Sequence, residues 1–153
     1  MPRYLVRFLS DLHTEWLPLG RDGAALAAVQ TGLPPVGADD AVVAVAPAED
    51  VLLLDVPRPP GNARQLAQAL PFAIEDRLAV PVETQHVAWT ALGQDRLRVA
   101  VIARVRLQAM LDALRSAGIE PTGLLPEARL LPGDGALVLA EPHRVLLRPA
   151  SGP

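Results

Sequence analysis

The sequence contains neither cysteine nor lysine, and all fourteen of its basic residues are arginine. Without cysteine there can be no disulfide, no thiolate nucleophile and no thiolate metal site, which fits a reducing compartment. Without lysine there can be no Schiff-base lysine and no P-loop lysine. Several classes of covalent and nucleotide-dependent catalysis are therefore excluded.

Aromatic residues, long apolar runs and a strong charge bias are also lacking. Two Trp, one Tyr and two Phe among 153 residues leave the core to Leu, Val and Ala. No run approaches the ~20 apolar residues that cross a bilayer, and the N-terminal stretch has no signal-peptide pattern. A net charge of -3 with dispersed arginines argues against nucleic-acid binding. We expect a cytoplasmic, globular chain.

Short apolar runs predict the strands of this chain. They cover 3–9, 42–47 and 51–57, with two further short strands expected in 14–20 and 24–32. A polar turn joins 42–47 to 51–57. Later in the chain, residues 86–92 and 96–104 predict a hairpin around Gly-Gln-Asp, and 136–140 with 144–148 predict another.

Two helices are predicted between these strands. Residues 62–79 place a leucine or isoleucine at every fourth position from 66 to 78, and Asn62 is a plausible N-cap. Residues 105–117 form the second helix, which Gly118 ends. The order strand, helix, hairpin, helix, strand between 51 and 126 predicts a compact α+β unit, flanked by strands of a separate sheet.

Catalytic and metal-binding patterns are weak. The three histidines, His13, His86 and His143, lie far apart and match no metal-ligand spacing. The serines lack a nucleophile elbow. Asp11 follows the first strand and could act as a base or metal ligand, but a turn that caps its own backbone is favoured. The Gly-Asp-Gly at 133–135 is interpreted as a turn entering a hairpin. No cofactor and no metal are expected.

The first helix carries Pro71 and Phe72 near its middle. Phe72 lies about 200° around a helix from Leu70, so it leaves the apolar side unless Pro71 restarts the helix. In the favoured interpretation the proline turns Phe72 into the core of a neighbouring sheet. In the alternative, Phe72 stays outside as an aromatic anchor with a polar rim, as in protein-binding hot spots.

The stretches "ALPFAIEDRLAVPVETQHVAW" (69–89) and "LRVAVIARVRLQAMLDALRSAGIEPTGLLPEARLLP" (97–132) resemble the cytoplasmic region of the type II secretion L protein, the GspL family. The resemblance covers most of 42–148. It implies an α/β fold with α+β lobes, similar to actin-like and RNase H-like ATPases. Residues 1–50 and 127–153 would belong to the main sheet lobe, and 51–126 to an inserted α+β subdomain.

What the resemblance implies for function is a scaffold of the bacterial inner-membrane platform. Such a protein binds the N-terminal domain of the secretion ATPase, the E protein, and recruits it to the cytoplasmic side of the inner membrane. The M and F proteins would be further partners of the full-length chain, and a homodimer is left open. The membrane helix and periplasmic domain of that family do not occur in these residues.

An actin-like fold raises one alternative, a nucleotide-binding or hydrolysing enzyme. Actin-like enzymes hold Mg and phosphates on Asp-x-Gly turns after the first strand of each half. Here the corresponding turns read "RFLSDLHTEW" and "LVLAEPHRVLL", with no glycine at that spacing. We therefore expect a scaffold without ATPase activity. The residues expected to bind the partner lie on the polar side of the first helix and the outer side of the second: Gln68, Phe72, Glu75, Asp76, Arg106 and Arg115.

Overall fold

The computed structural model describes residues 3–133 and 135–149, and these form three β-sheets and two α-helices. In chain order the elements are β1 (Arg3–Phe8), β2 (Thr14–Leu19), β3 (Gln30–Thr31), β4 (Ala41–Ala46), β5 (Val51–Pro57), α1 (Ala63–Ile74), β6 (Gln85–Ala91), β7 (Arg96–Ala103), α2 (Arg104–Ser116), β8 (Gly123–Pro126), β9 (Leu137–Glu141) and β10 (Arg144–Arg148). The mixture of sheets and helices confirms the predicted α/β class.

The larger sheet has five strands in the order β3-β2-β1-β4-β8. β1 pairs with β2 antiparallel and with β4 parallel, and β8 pairs with β4 parallel. The apolar side of α2 packs on this sheet, where Met110 and Leu114 join Val6, Phe8 and Ala44 in one buried cluster. The sequence predicts Leu107, Met110, Leu111 and Leu114 on the inward side of this helix. The packing confirms Met110 and Leu114 as buried and Leu107 as partly buried against the same cluster, whereas Leu111 is only half-buried and lies outside it.

The second sheet has three antiparallel strands in the order β5-β7-β6. Its alternating residues place Leu97 and Val99 on the side that α1 covers. Leu66, Leu70 and Ile74 of α1 are buried against them. The four-residue spacing of the first helix thus predicted its buried side correctly.

β4 and β5 follow each other in sequence but belong to different sheets. A 3₁₀ turn at Ala48–Asp50 separates them. The domain boundaries at residues 51 and 126 remain a prediction. Pairing places β8 in the five-stranded sheet, and α2 packs on that sheet, so only β5, α1, β6 and β7 form the smaller unit of sheet and helix.

Two predicted elements are shorter in the structure. α1 ends at Ile74 and a 3₁₀ turn at Glu75–Arg77 follows, so the helix predicted over 62–79 is too long. Of the strand predicted over 24–32, only Gln30–Thr31 pairs along a strand, because most of this stretch is exposed and has no sheet face to cover. The helix stop at Gly118 is confirmed by its φ of 74°.

The third sheet is the predicted hairpin of β9 and β10, which pairs with neither of the other sheets among the described residues. The guanidinium of Arg148 donates to the carbonyl oxygens of Leu131, Pro132 and Gly135 at the entrance to the hairpin. The predicted Gly-Asp-Gly turn includes Asp134, which lies outside the described residues.

Candidate partner-binding surface and the neighbouring cleft

The first turn of α1 is fixed by a capping box. The Asn62 side chain accepts a hydrogen bond from the backbone N–H of Gln65 at 3.1 Å. In return, the Gln65 side chain accepts one from the backbone N–H of Asn62 at 2.8 Å. Two N–H groups that the helix leaves unpaired are thereby satisfied. The cap fixes where α1 begins, and the three buried residues of the helix fix which of its sides faces outward.

That outward side carries four of the predicted partner-binding residues. Gln68, Phe72, Glu75 and Asp76 are all exposed, and the spacings of four, seven and eight residues from Gln68 place them along one side of the helix and its following turn. We call these four residues the α1 patch. Among the described residues, neither carboxylate of the α1 patch lies within ion-pair distance of a basic group.

Phe72 is the centre of the α1 patch and is 76% exposed. The favoured expectation that Pro71 turns Phe72 into a core is therefore wrong. α1 runs from Ala63 to Ile74 without restarting at the proline. The helix keeps its phase because Leu70 and Ile74, on either side of Pro71, are both fully buried and hold the helix on the sheet. The phase that buries them places Phe72 outside.

The two arginines predicted on the outer side of α2 do not join the α1 patch. The Arg106 Nε lies 2.6 Å from Asp50 Oδ2, and its Nη2 donates to the carbonyl oxygens of Leu9 and Ser10. Arg106 thus ties α2 to the end of β1, and its placement on the outer side of the helix is wrong. Arg115 is exposed and pairs with Glu120 at 3.3 Å.

A cleft of about 600 Å³ lies at the end of β1. The turn after β1, with Ser10 and Asp11, borders it, and so does the turn of the β9–β10 hairpin, with Pro142 and His143. These are the two turns that an actin-like enzyme would use for phosphate. Asp11 caps its own turn by accepting from the backbone N–H of His13 at 3.1 Å, as the favoured interpretation predicted. The structure therefore brings both turns to one place.

Ion pairs occupy the wall of this cleft. The Arg7 Nη2 lies 3.0 Å from Glu15, and its Nη1 lies 2.6 Å from Glu141 and 3.3 Å from Glu127. We call the whole network the cleft cluster, and its members are Arg7, Glu15, Glu49, Glu127, Glu141 and Arg144. Four carboxylates against two guanidinium groups give the cluster a formal charge of -2.

Glu127 is the most deeply buried member of the cleft cluster, with a side chain 6% exposed. One of its oxygens accepts from Arg7 and Arg144, and the other accepts from the backbone N–H of Ala48 at 3.1 Å. The backbone contact joins the cluster to the connection between β4 and β5. Arg144 also reaches Glu49 at 2.8 Å, so the cluster links the hairpin to the five-stranded sheet.

The ionisation of the cluster follows from these contacts. Burial alone would raise the pKa of Glu141, but the hydrogen bonds from Arg144 and Arg7 outweigh it and hold the pKa of Glu141 below its usual range. Burial would also lower the pKa of Arg144, but the hydrogen bonds to Glu127 and Glu141 raise that pKa further above its usual range. Both groups therefore stay charged at neutral pH.

This arrangement is unfavourable for a phosphate group. Arg7 and Arg144, the cations that border the cleft, are already engaged by carboxylates. A phosphate entering here would meet an excess of negative charge in a partly buried site, where repulsion is screened less than in water. Of the groups of acidic and histidine side chains in the described residues, none is arranged to hold a metal ion.

The cleft cluster was not predicted from the sequence. A weak signal was available, because Arg7 lies within an apolar strand and a buried charge requires a partner. The partners of Arg7 are 120 and 134 residues away, at Glu127 and Glu141. No local pattern identifies contacts over that distance.

The fold and the site define a mixed α/β domain with an exposed aromatic patch on one helix and a cleft filled by ion pairs. The family model of the type II secretion system protein L matches residues 13–152. The chain therefore belongs to the family of type II secretion system L proteins, as the resemblance indicated.

Curated relatives support the same family. The chain is 40% identical over 102 residues to the type II secretion system protein L of Pseudomonas aeruginosa, covering 66% of this chain and 27% of that protein. It is 35% identical over 91 residues to the L protein of Vibrio cholerae, covering 60% of this chain and 22% of that protein. The matched part is thus about a quarter of the length of these relatives.

Solved structures agree with the fold. The cytoplasmic domain of EpsL, an inner-membrane component of the Vibrio cholerae type II secretion system, matches with a TM-score of 0.78 and 26% identity, covering 98% of this chain and 68% of that one. This match confirms the predicted fold. The PilM–PilN type IV pilus biogenesis complex matches with a TM-score of 0.58 at 18% identity, covering 90% of this chain and 54% of that one, and shows likeness of fold alone. No helix in the described part of the chain has the length and hydropathy to cross a bilayer.

Proposed function

We propose that this chain is a cytoplasmic scaffold of the type II secretion platform that binds the N-terminal domain of the secretion ATPase and recruits it to the inner membrane. The observation that carries the proposal is Phe72, an aromatic side chain 76% exposed on a helix whose opposite side is fully buried. Large aromatic side chains are enriched at the centres of protein interfaces.

The α1 patch has the composition of a docking site. Phe72 supplies apolar area, and the two carboxylates beside it supply orientation, because charge complementarity directs encounter more than it adds affinity. The partner surface that fits this patch has an apolar pocket bordered by basic side chains. Gln68 contributes a hydrogen-bonding rim.

The test is a titration of the purified ATPase N-terminal domain with this chain. Phe72→Ala should weaken binding by about thirtyfold, which corresponds to the ~2 kcal/mol that defines an interface hot spot. Val105→Ala is the matched control, because Val105 is an apolar side chain 79% exposed on the other helix. An unchanged affinity for Phe72→Ala would remove the α1 patch from the interface.

Charge reversal of the two carboxylates separates their effect on the association rate from their effect on the stability of the bound complex. Glu75→Arg combined with Asp76→Arg should lower the association rate and reduce its dependence on salt, with a smaller change in the dissociation rate. Arg115→Glu tests the remaining exposed arginine of the predicted interface by the same measurement. Arg106 is a poor test residue, because its contacts with Asp50 and β1 make it part of the fold.

The placement at the membrane rests on the family. The EpsL cytoplasmic domain belongs to an inner-membrane component, and we propose that this chain lies on the cytoplasmic side of the same membrane. Contacts with the M and F proteins of the platform belong to the same proposal. Co-purification of the full-length protein with these components from membranes would support it, and their absence from the purified complex would contradict it.

We further propose that the chain hydrolyses no ATP. The cleft cluster supports this, because its two arginines are held by carboxylates and its net charge opposes a triphosphate. Equilibrium titration with ATP and Mg should show no binding, and ATP turnover by the chain free of the secretion ATPase should be absent. Measurable turnover that survives further purification would contradict the scaffold-only function.

A further inference from the structure

Five edge strands of the three sheets carry a feature that discourages pairing with another chain, and β6 does not. Natural edge strands are protected by charge, by proline or by being very short. Among the described strands, β3 has two residues, and the other protected edges hold these charges and prolines: Asp55 and Pro57 in β5, Pro126 in β8, Glu141 in β9, and Arg144 and Arg148 in β10. β6 has seven residues, Gln85–Ala91, with neither a proline nor a carboxylate, arginine or lysine.

β6 lies at the edge of the three-stranded sheet, where β7 takes only one of its sides. His86, Ala88 and Thr90 are exposed on the side of the sheet away from α1. Val87 and Trp89 point to the α1 side and are partly buried there. The strand is thus regular, lies at the edge of its sheet and contains no arginine, lysine or carboxylate.

We propose that β6 pairs antiparallel with β6 of a second copy of this chain, about a two-fold axis at Ala88. Ala88 is the middle residue of the seven, so this register pairs the full length of both strands. The two three-stranded sheets would become one six-stranded sheet. The backbone groups on the side of β6 away from β7 would form hydrogen bonds between the copies.

The sequence of β6 is complementary to itself in this register. On the α1 side, Val87 of one copy would lie opposite Trp89 of the other, and the symmetry repeats that pair. Aromatic and β-branched residues are a favourable cross-strand combination. On the other side, His86 would lie opposite Thr90, so no charge faces a like charge. This complementarity favours a second copy over an unrelated strand as the occupant.

The symmetry has a consequence for the proposed function. A two-fold axis between antiparallel edge strands is perpendicular to the sheet, so both copies of α1 lie on the same side. Both α1 patches would then face one direction. The pairing does not depend on ATPase binding, and its test is independent of the titration above.

Sedimentation velocity over a wide concentration range tests the pairing. The unaltered chain should move from monomer to dimer as concentration rises. Ala88→Glu should remain monomeric over the same range, because it places two carboxylates directly opposite each other at the axis. Ala28→Glu, an equal charge change in an exposed loop, should dimerise as the unaltered chain does.

Mixing variants identifies the axis. Ala88→Glu and Ala88→Arg should each be monomeric alone and should form a dimer when mixed in equal amounts, because opposite charges then meet. An unaltered chain that is monomeric at every concentration overturns the proposal. So does a dimer that Ala88→Glu leaves intact, or a mixture no more dimeric than its components.

The absence of cysteine allows a second test of register. Ala88→Cys should cross-link to itself on mild oxidation, because residues opposite each other have Cβ atoms about 4.5–5.5 Å apart, close to disulfide geometry. Thr90→Cys is the matched control on the same side of the strand. Its symmetry mate would lie four positions along, about 14 Å away. Equal cross-linking of the two variants would overturn the register.

Discussion

Glu127 should be the polar side chain whose loss most destabilises this domain. It is 6% exposed and accepts three hydrogen bonds, from Arg7, from Arg144 and from the backbone N–H of Ala48. Glu127→Ala leaves the Ala48 N–H without its acceptor and removes a carboxylate from both guanidinium groups. The free energy of unfolding should therefore fall.

The size of the effect follows from two opposing terms. At 3.3 Å and an effective dielectric constant of ~20, the Arg7–Glu127 attraction is about 5 kcal/mol before solvation is counted. Desolvation of the charges cancels much of that, and removing one member of a buried ion pair costs about 3–5 kcal/mol in practice. Because both arginines keep Glu141, we expect the lower end, about 3 kcal/mol. Glu127→Gln keeps the shape and one acceptor, and should cost about 2 kcal/mol.

Urea denaturation followed by the fluorescence of Trp16 and Trp89 measures this change, since the two indoles report on the two larger sheets. For a domain of this size, 3 kcal/mol corresponds to a loss of roughly 6–12 °C in Tm. Glu83→Ala is the control, because Glu83 is exposed and should change stability by less than about 0.5 kcal/mol. A loss below about 1 kcal/mol for Glu127→Ala would refute the reasoning.

Three further changes have defined outcomes. Leu70→Ala should destabilise the domain by about 3–4 kcal/mol in the same assay, because Leu70 is 0% exposed. Phe72→Ala, two residues away, should cost less than about 0.5 kcal/mol, because Phe72 is 76% exposed. Equal losses would contradict the observed phase of α1. Asn62→Ala should cost about 1 kcal/mol through the lost cap, and no loss would mean that the capping box contributes nothing. The folded pKa of Glu141 is below its unfolded value, so the contribution of Glu141 to stability is complete above the unfolded pKa and is lost as the pH falls through the folded pKa. In Glu141→Gln, the free energy of unfolding should therefore depend less steeply on pH below about pH 4 than it does in the unaltered chain. An unchanged pH dependence would count against this assignment.

The phase and the N-terminus of α1 could be predicted from the sequence because both depend on neighbours within one helical turn. Leu66, Leu70 and Ile74 recur at four-residue spacing, and Asn62 reaches only as far as Gln65. The favoured prediction for Phe72 was wrong because it gave Pro71 more weight than the two buried residues near it in the helix, Leu70 and Ile74. Tertiary packing outweighed the preference of a single proline.

Part of the candidate site also could not be predicted. Four of the six predicted binding residues form the α1 patch because they share a helical side. Arg106 lies elsewhere because its guanidinium bonds to Asp50 and to two backbone carbonyl oxygens at the end of β1. Asp50 is 56 residues away in sequence, and the two carbonyl groups are 96 and 97 residues away. A helical pattern shows which residues of α2 point away from its apolar side, but not what meets them there.

The sequence by itself determined most of the strands, the presence and buried sides of the two helices, the end of α2 at Gly118 and the absence of thiol and lysine chemistry, because each depends on residue type or on spacing within a few positions. Tertiary structure decided that β4 and β5 enter different sheets and that Phe72 stays outside. It also decided that Glu127 is buried between two arginines. The physical reason is that strand partners and the burial of charge depend on free energies shared between segments up to 134 residues apart, as between Arg7 and Glu141.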